Sequence, residues 1–156
     1  MNTSMLCRQI DQNHNTRSSP RTDHLSTLTL AYLGDAIFEV FVRDRVAKEG
    51  AGSASQLHGK STGYVNASAQ AFMLRRLKDK LTDQEWSVVK RGRNQKSASI
   101  PKNATLQDYR YATGFETLLG WLYTESQWER LSCVMEAAAK ELEKEKMKGA
   151  PGSDVI

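Results

Sequence analysis

The sequence predicts an all-α domain, and three observations carry that expectation. Apolar residues recur at helical spacing through most of the chain, polar caps precede those runs, and no segment alternates in the manner of a strand. Asp23 is placed to cap a long first helix, in which Leu25, Leu28, Tyr32, Ala36, Ile37, Val40 and Phe41 keep one register to about Ala47. Gly34 interrupts that register where only a small residue would let another backbone approach. Gly50 and Gly52 close the element. A short helix is expected after Ser53, over Ala54 to His58, and a third over Val65 to Leu81 with Ala67, Ala71, Leu74 and Leu77 on its apolar side. Thr82 and Glu85 have capping-box spacing and open a fourth helix with Trp86, Val88 and Val89 inward. Arg91 to Asn103 reads as a polar loop. Leu106 to Tyr123 and a last helix from Trp128, fading over Glu141 to Lys148, complete the set.

Composition narrows the function classes. At 156 residues the chain is one domain, large enough to bury a core without disulfides or metals. Residues 1–22 form a polar arm expected to stay flexible, 23–146 the folded domain, and 147–156 a tail expected to be disordered. Cys7 and Cys133 lack any zinc-ligand spacing with His14, His24 or His58, so two free thiols in a reducing compartment are expected. No apolar run reaches membrane-spanning length, and the arm lacks a secretory core; an intracellular, soluble protein with no membrane partner is the expectation. The net charge of +4 permits a polyanionic partner without requiring one.

Two segments set acids into apolar helical patterns: Leu33-Gly34-Asp35-Ala36-Ile37-Phe38-Glu39 and Thr113-Gly114-Phe115-Glu116-Thr117-Leu118-Leu119-Gly120. A carboxylate among apolar neighbours needs a cation or hydrogen bonds to stay ionised. Asp35 and Glu39 share one helix face, on the order of 6 Å apart. Taken alone, Asp35 is equally a structural pair with a residue such as Arg110 or a metal ligand. Glu116 repeats the situation, and the two segments together favour a shared cation. Between them, Lys90 to Asn103 holds five cations (Lys90, Arg91, Arg93, Lys96 and Lys102) and no acid, with Asn94 and serines as extra phosphate donors. Such a stretch suits a sugar-phosphate backbone better than it suits a merely solvated loop. Arg75 to Lys80 reads as an exposed helix face, and Trp86, Trp121 and Trp128 read as core rather than base-stacking platforms.

These residues resemble the ribonuclease III family, and more closely its short form, Mini-III ribonuclease. Leu30-Ala31-Tyr32-Leu33-Gly34-Asp35-Ala36-Ile37-Phe38-Glu39 is similar to the family's signature helix. Arg91-Gly92-Arg93-Asn94, Pro101-Lys102-Asn103 and Tyr109-Arg110-Tyr111-Ala112-Thr113-Gly114-Phe115-Glu116 follow in the Mini-III order, so that the likeness spans about Leu25 to Leu142. The resemblance implies a ribonuclease III-type helical domain acting as a homodimer without a separate double-stranded-RNA-binding domain. It implies cleavage of double-stranded RNA with Mg²⁺ to leave 5′-phosphate and 3′-hydroxyl ends. The implied role is trimming the ends of the large-subunit (23S) ribosomal RNA precursor, in a bacterial cytoplasm rather than a plastid.

Two departures stand out. Full-length ribonuclease III carries four acids, and two of those positions are Ala31 and Thr113 here; the Mini-III pattern also lacks those two acids. Asp35 and Glu116 remain as the catalytic pair and Mg²⁺ ligands, with Lys90, Arg91, Arg93, Asn94, Lys96 and Lys102 as the RNA-binding set. The number of metals per site, and any part played by Glu39, Asp108 or a water held by Thr113, stay open. One alternative is a non-catalytic RNA-binding protein of the same fold in ribosome assembly; another is a helical interaction module with no RNA role.

Overall fold

Residues 25–50, 52–96 and 99–149 are described by the computed structural model, and they form six α-helices with no strand among them. The helices are α1 (Thr27–Lys48), α2 (Ala54–Val65), α3 (Ala67–Leu77, followed by a 3-10 turn over Lys78–Lys80), α4 (Asp83–Arg93), α5 (Leu106–Thr124) and α6 (Trp128–Lys148). The expected cap Asp23, the arm, Cys7, His14, His24 and the tail from residue 150 lie outside the described residues. Ser26 is the cap of α1, its hydroxyl accepting from the Thr29 amide at 3.1 Å.

Helix α5 is the centre of the fold, with α1, α3, α4 and α6 all packed against it. Its buried positions run almost all round the helix, from Ala112, Gly114 and Phe115 to Leu119, Gly120 and Leu122. That follows from a segment with few charges after Arg110. Phe38 of α1 meets Phe115 edge-on at 5.1 Å, and Met73, Leu74, Leu118 and Leu119 close the core around them. Each such side chain contributes about 1.5–3 kcal/mol by leaving water. The tryptophans pack against this core, as their spacing predicts.

Glycines set how closely the helices approach. A Cβ at Gly34 would overlap the Glu116 carbonyl, and one at Gly120 would overlap the Leu30 carbonyl, so α1 and α5 cross backbone against backbone. Gly92 and Gly114 do the same for α4 and α5, around Thr117 and Val89. Polar clips hold the periphery. Arg45 bridges Glu143 at 2.7 Å and Glu136 at 2.9 Å, Tyr64 donates to Glu143 at 2.8 Å, and buried Glu85 takes two bonds from Arg130.

Three helix boundaries differ from expectation. The second helix runs to Val65 instead of ending at His58, and the expected helix over Val65 to Leu81 begins only at Ala67. Asn66 makes that corner: its backbone is extended, its Nδ2 donates to the Thr62 carbonyl and its Oδ1 accepts from the Ala69 amide. One side chain thereby caps the end of α2 and the start of α3. The polar loop also begins later than Arg91. Lys90, Arg91 and Arg93 lie in the last turns of α4, where cations favour the helix dipole, and Asn94 is the C-cap. Among the described residues no helix is long and apolar enough to cross a membrane.

Candidate active site

The crossing of α1 and α5 builds the site. Because Gly34 rests on the Glu116 carbonyl, its neighbour Asp35 and the Glu116 side chain belong to one locality on two helices. Asp35 is exposed, whereas Glu116 is partly buried. Burial first, and the Asp35 charge second, push the Glu116 carboxyl up to about 8, against an opposing hydrogen bond from Gln70. Asp35 is itself raised, by partial desolvation and then by Glu39. Neither acid has a Lys, Arg or His partner among the described residues. The Arg110 pairing open to Asp35 on sequence grounds is not formed.

The acids named as supplements are engaged elsewhere. Glu39 accepts from Arg43 at 3.1 Å, and Asp108 from Arg75 at 3.0 Å. Thr113 donates its hydroxyl to the Tyr109 carbonyl at 3.0 Å, which leaves its oxygen free to act as an acceptor. Among the described residues no cluster of three acid, imidazole or thiol groups could enclose a metal. Two carboxylates without a protein cation nevertheless fit Mg²⁺, which binds oxygen and retains several waters. A buried acceptor with no partner, Gln70 Oε1, suits the same chemistry.

Because a raised carboxyl binds its proton in the folded state, the sign of the pH dependence follows. Without divalent cation, the ordinary 4.5 of an exposed Glu against about 8 here means the folded state holds the extra proton between those values. Stability relative to a Glu116→Gln variant should therefore fall as pH rises from about 4.5 to about 8 and level off above that. Thermal melts in EDTA at several pH values check this, and Mg²⁺ should flatten the difference.

The basic residues occupy a separate stretch. Lys90, Arg91, Lys96 and Lys102 are exposed and form no ion pair among the described residues. Arg93 lies over Tyr111 at 5.8 Å, and Arg75 over the same ring at 4.7 Å. Arg93, Asn94, Gln107, Arg110 and Tyr111 line an open groove of about 470 Å³ at the C-terminal end of α4. His58 and Ser61 line a different hollow, beside Arg43 and Leu57.

Comparison with known proteins identifies the family. The Ribonuclease III domain model matches residues 28–127, which include both acids and the basic stretch from Lys90 to Lys102. A Mini-ribonuclease 3 of Symbiobacterium thermophilum is 49% identical over 77% of this chain and 92% of its own. That of Enterococcus faecalis is 45% identical over 69% and 83% respectively. The chain belongs to the ribonuclease III family, in its Mini-ribonuclease 3 branch. The crystal structure of protein FN1578 from Fusobacterium nucleatum is 27% identical, covers 75% of this chain and 93% of that one, and superposes with a TM-score of 0.69. As a member of the ribonuclease III family the chain is a ribonuclease of the endonucleolytic class, on an all-α domain.

Sequence reading of this ribonuclease III domain missed two features. Gln70 is almost fully buried beside Glu116, yet an amide inside a helical run carries no periodic signal of its own. The Arg75–Tyr111–Arg93 stack joins α3, α4 and α5, whereas the sequence around Arg75 predicts only a plain exposed face.

Proposed function

We propose that this chain is a Mg²⁺-dependent endoribonuclease of double-stranded RNA. Asp35 and Glu116 hold the metal, and the products carry 5′-phosphate and 3′-hydroxyl ends. The observation that carries this reading is a half-buried Glu116 destabilised by burial and by the Asp35 charge, with no protein cation against either acid among the described residues. When bound, the ion supplies charge neutralisation at the scissile phosphate and acidifies water. Asp35, exposed beside the α1–α5 crossing, is the side chain that incoming RNA meets first. Glu116 is anchored by a backbone that Gly34 pins in place. Thr113, its proton committed to Tyr109, can orient a water by accepting from it.

Lys90, Arg91, Arg93, Asn94, Lys96 and Lys102 bind the RNA backbone, by shape more than by sequence. Neutralised phosphates release counterions, so affinity should fall steeply with salt. Arg91→Ala should lower the log–log salt slope by about 0.9. Filter binding of a duplex at graded KCl measures it; a slope equal to the parent's would remove Arg91 from the interface.

A homodimer is part of the proposal. Leu28, Tyr32 and Val40 are exposed on α1 at intervals that keep one helix face, with Tyr32 78% exposed. Such a face on the helix that carries Asp35 suits pairing of two copies. The natural substrate is then the large-subunit (23S) ribosomal RNA precursor. The compartment is a bacterial cytoplasm, in keeping with the bacterial origin of the relatives.

Incubating the protein with a long RNA duplex, with and without Mg²⁺, tests the reading. Metal-dependent double-strand cutting is the expected result. RNA retained on a gel but left intact would instead favour the non-catalytic binder, for which Ala31 and Thr113 in place of two family acids already speak.

A further inference from the structure

Gln70 is among the most buried polar side chains of the described residues, at 1% exposure. It stands in the first turn of α3, directly after the Asn66 corner. Its Nε2 donates to the Val65 carbonyl at 3.1 Å, satisfying an acceptor at the C-terminal end of α2. The same side chain lies close enough to the Glu116 carboxyl to oppose the upward push of burial on it. Its Oε1 is buried and is the one side-chain oxygen or nitrogen of that kind left without a partner among the described residues. A buried orphan acceptor is costly, and an apolar side chain of similar volume would remove that cost. An amide kept here, with one end fixed and the other end open beside an acid, points to a missing donor.

We propose that Gln70 is a positioning residue of the metal site, fixed through its amide nitrogen at the Val65 carbonyl and accepting through Oε1 from a water carried by the divalent cation. This rests on the reading of Asp35 and Glu116 as metal ligands. Anchored at Val65, the amide has little freedom to turn, so it presents one acceptor at a fixed place. Loss of such an outer partner typically lowers metal affinity or activity by about 10- to 100-fold.

The test compares the parent with Gln70→Met and Gln70→Glu, and with Asp35→Asn and Glu116→Gln as references. Mn²⁺ binding to the metal-free protein is followed by electron paramagnetic resonance, and the Mg²⁺ concentration for half-maximal cleavage is measured beside it. Gln70→Met should melt no earlier than the parent in EDTA, yet bind Mn²⁺ about tenfold more weakly and need correspondingly more Mg²⁺. Gln70→Glu loses the donor to Val65 but keeps an oxygen at the open end and adds a negative charge that attracts the ion, so it should bind Mn²⁺ at least as tightly as the parent. If Gln70→Met fails to fold, the Gln70→Glu result alone decides, because weakened Mn²⁺ binding there would overturn the acceptor role. Parent-like Mn²⁺ affinity in Gln70→Met, with binding lost in Asp35→Asn and Glu116→Gln, would overturn the role of Gln70 and leave the metal site standing. Unchanged binding in those two reference variants would overturn both.

Discussion

Asp35→Asn is expected to reduce cleavage of duplex RNA by at least about a thousandfold while leaving the fold intact. The substitution keeps the shape of the side chain and removes one of the two charges that attract the cation. Losing about 4 kcal/mol of transition-state stabilisation corresponds to that factor. Stability should not fall with activity. Asp35 is exposed, has no ion-pair partner among the described residues, is repelled by Glu39, and itself raises the Glu116 carboxyl. Removing it relieves that repulsion, and the Glu116 carboxyl should move back toward its ordinary value. Single-turnover rates together with thermal melts make the measurement. A variant that melts early and cleaves normally would mark Asp35 as a structural acid, as the interaction-module reading requires.

The second large effect is expected from one methyl group. Gly34→Ala would drive its Cβ into the carbonyl of Glu116, and a main-chain atom cannot swing aside as a side chain can. Helices α1 and α5 must separate, at a cost near the upper end of overpacking, about 3 kcal/mol. For a chain of this size that lowers the melting midpoint by roughly 10 °C. Moving Glu116 by even about 1 Å should also reduce turnover of the surviving folded fraction by about 100-fold. Gly59→Ala is the control, since nothing lies within 4 Å of the position its Cβ would take in α2. It should be neutral or stabilising by up to about 1 kcal/mol. Equal melting midpoints for the two variants would show that α1 and α5 tolerate a wider spacing.

Most helices were legible because caps and apolar register agree. Thr82 and Glu85 form the capping box their spacing predicts. The length of α2 was hidden because only Ser61 and Tyr64 are buried along it, too few to mark a stripe. Asn66 was hidden for the opposite reason: a single asparagine within an apolar run gives no warning that it will cap two helices at once. At the site, Asp35 and Glu116 could be read because acids within an apolar register demand compensation. Gln70 could not, since a neutral amide signals a role only once its neighbours are known. The same holds for Arg75 and Tyr111, which meet through a contact between distant parts of the chain.

The two carbonyls seated on Gly34 and Gly120 have a thermal consequence. Where main chain rests on main chain, no side-chain rotamer can loosen the joint by degrees. The crossing that carries Asp35 and Glu116 therefore belongs to the most cooperative unit of the molecule, the one that opens only when the whole domain opens. On heating, activity should persist to the edge of the global transition and vanish with it, with no inactive folded state in between. Parallel traces of cleavage rate and far-ultraviolet circular dichroism against temperature should coincide after correction for the ordinary rise in rate. A catalyst built this way trades local adaptability for a site that is either wholly assembled or wholly gone.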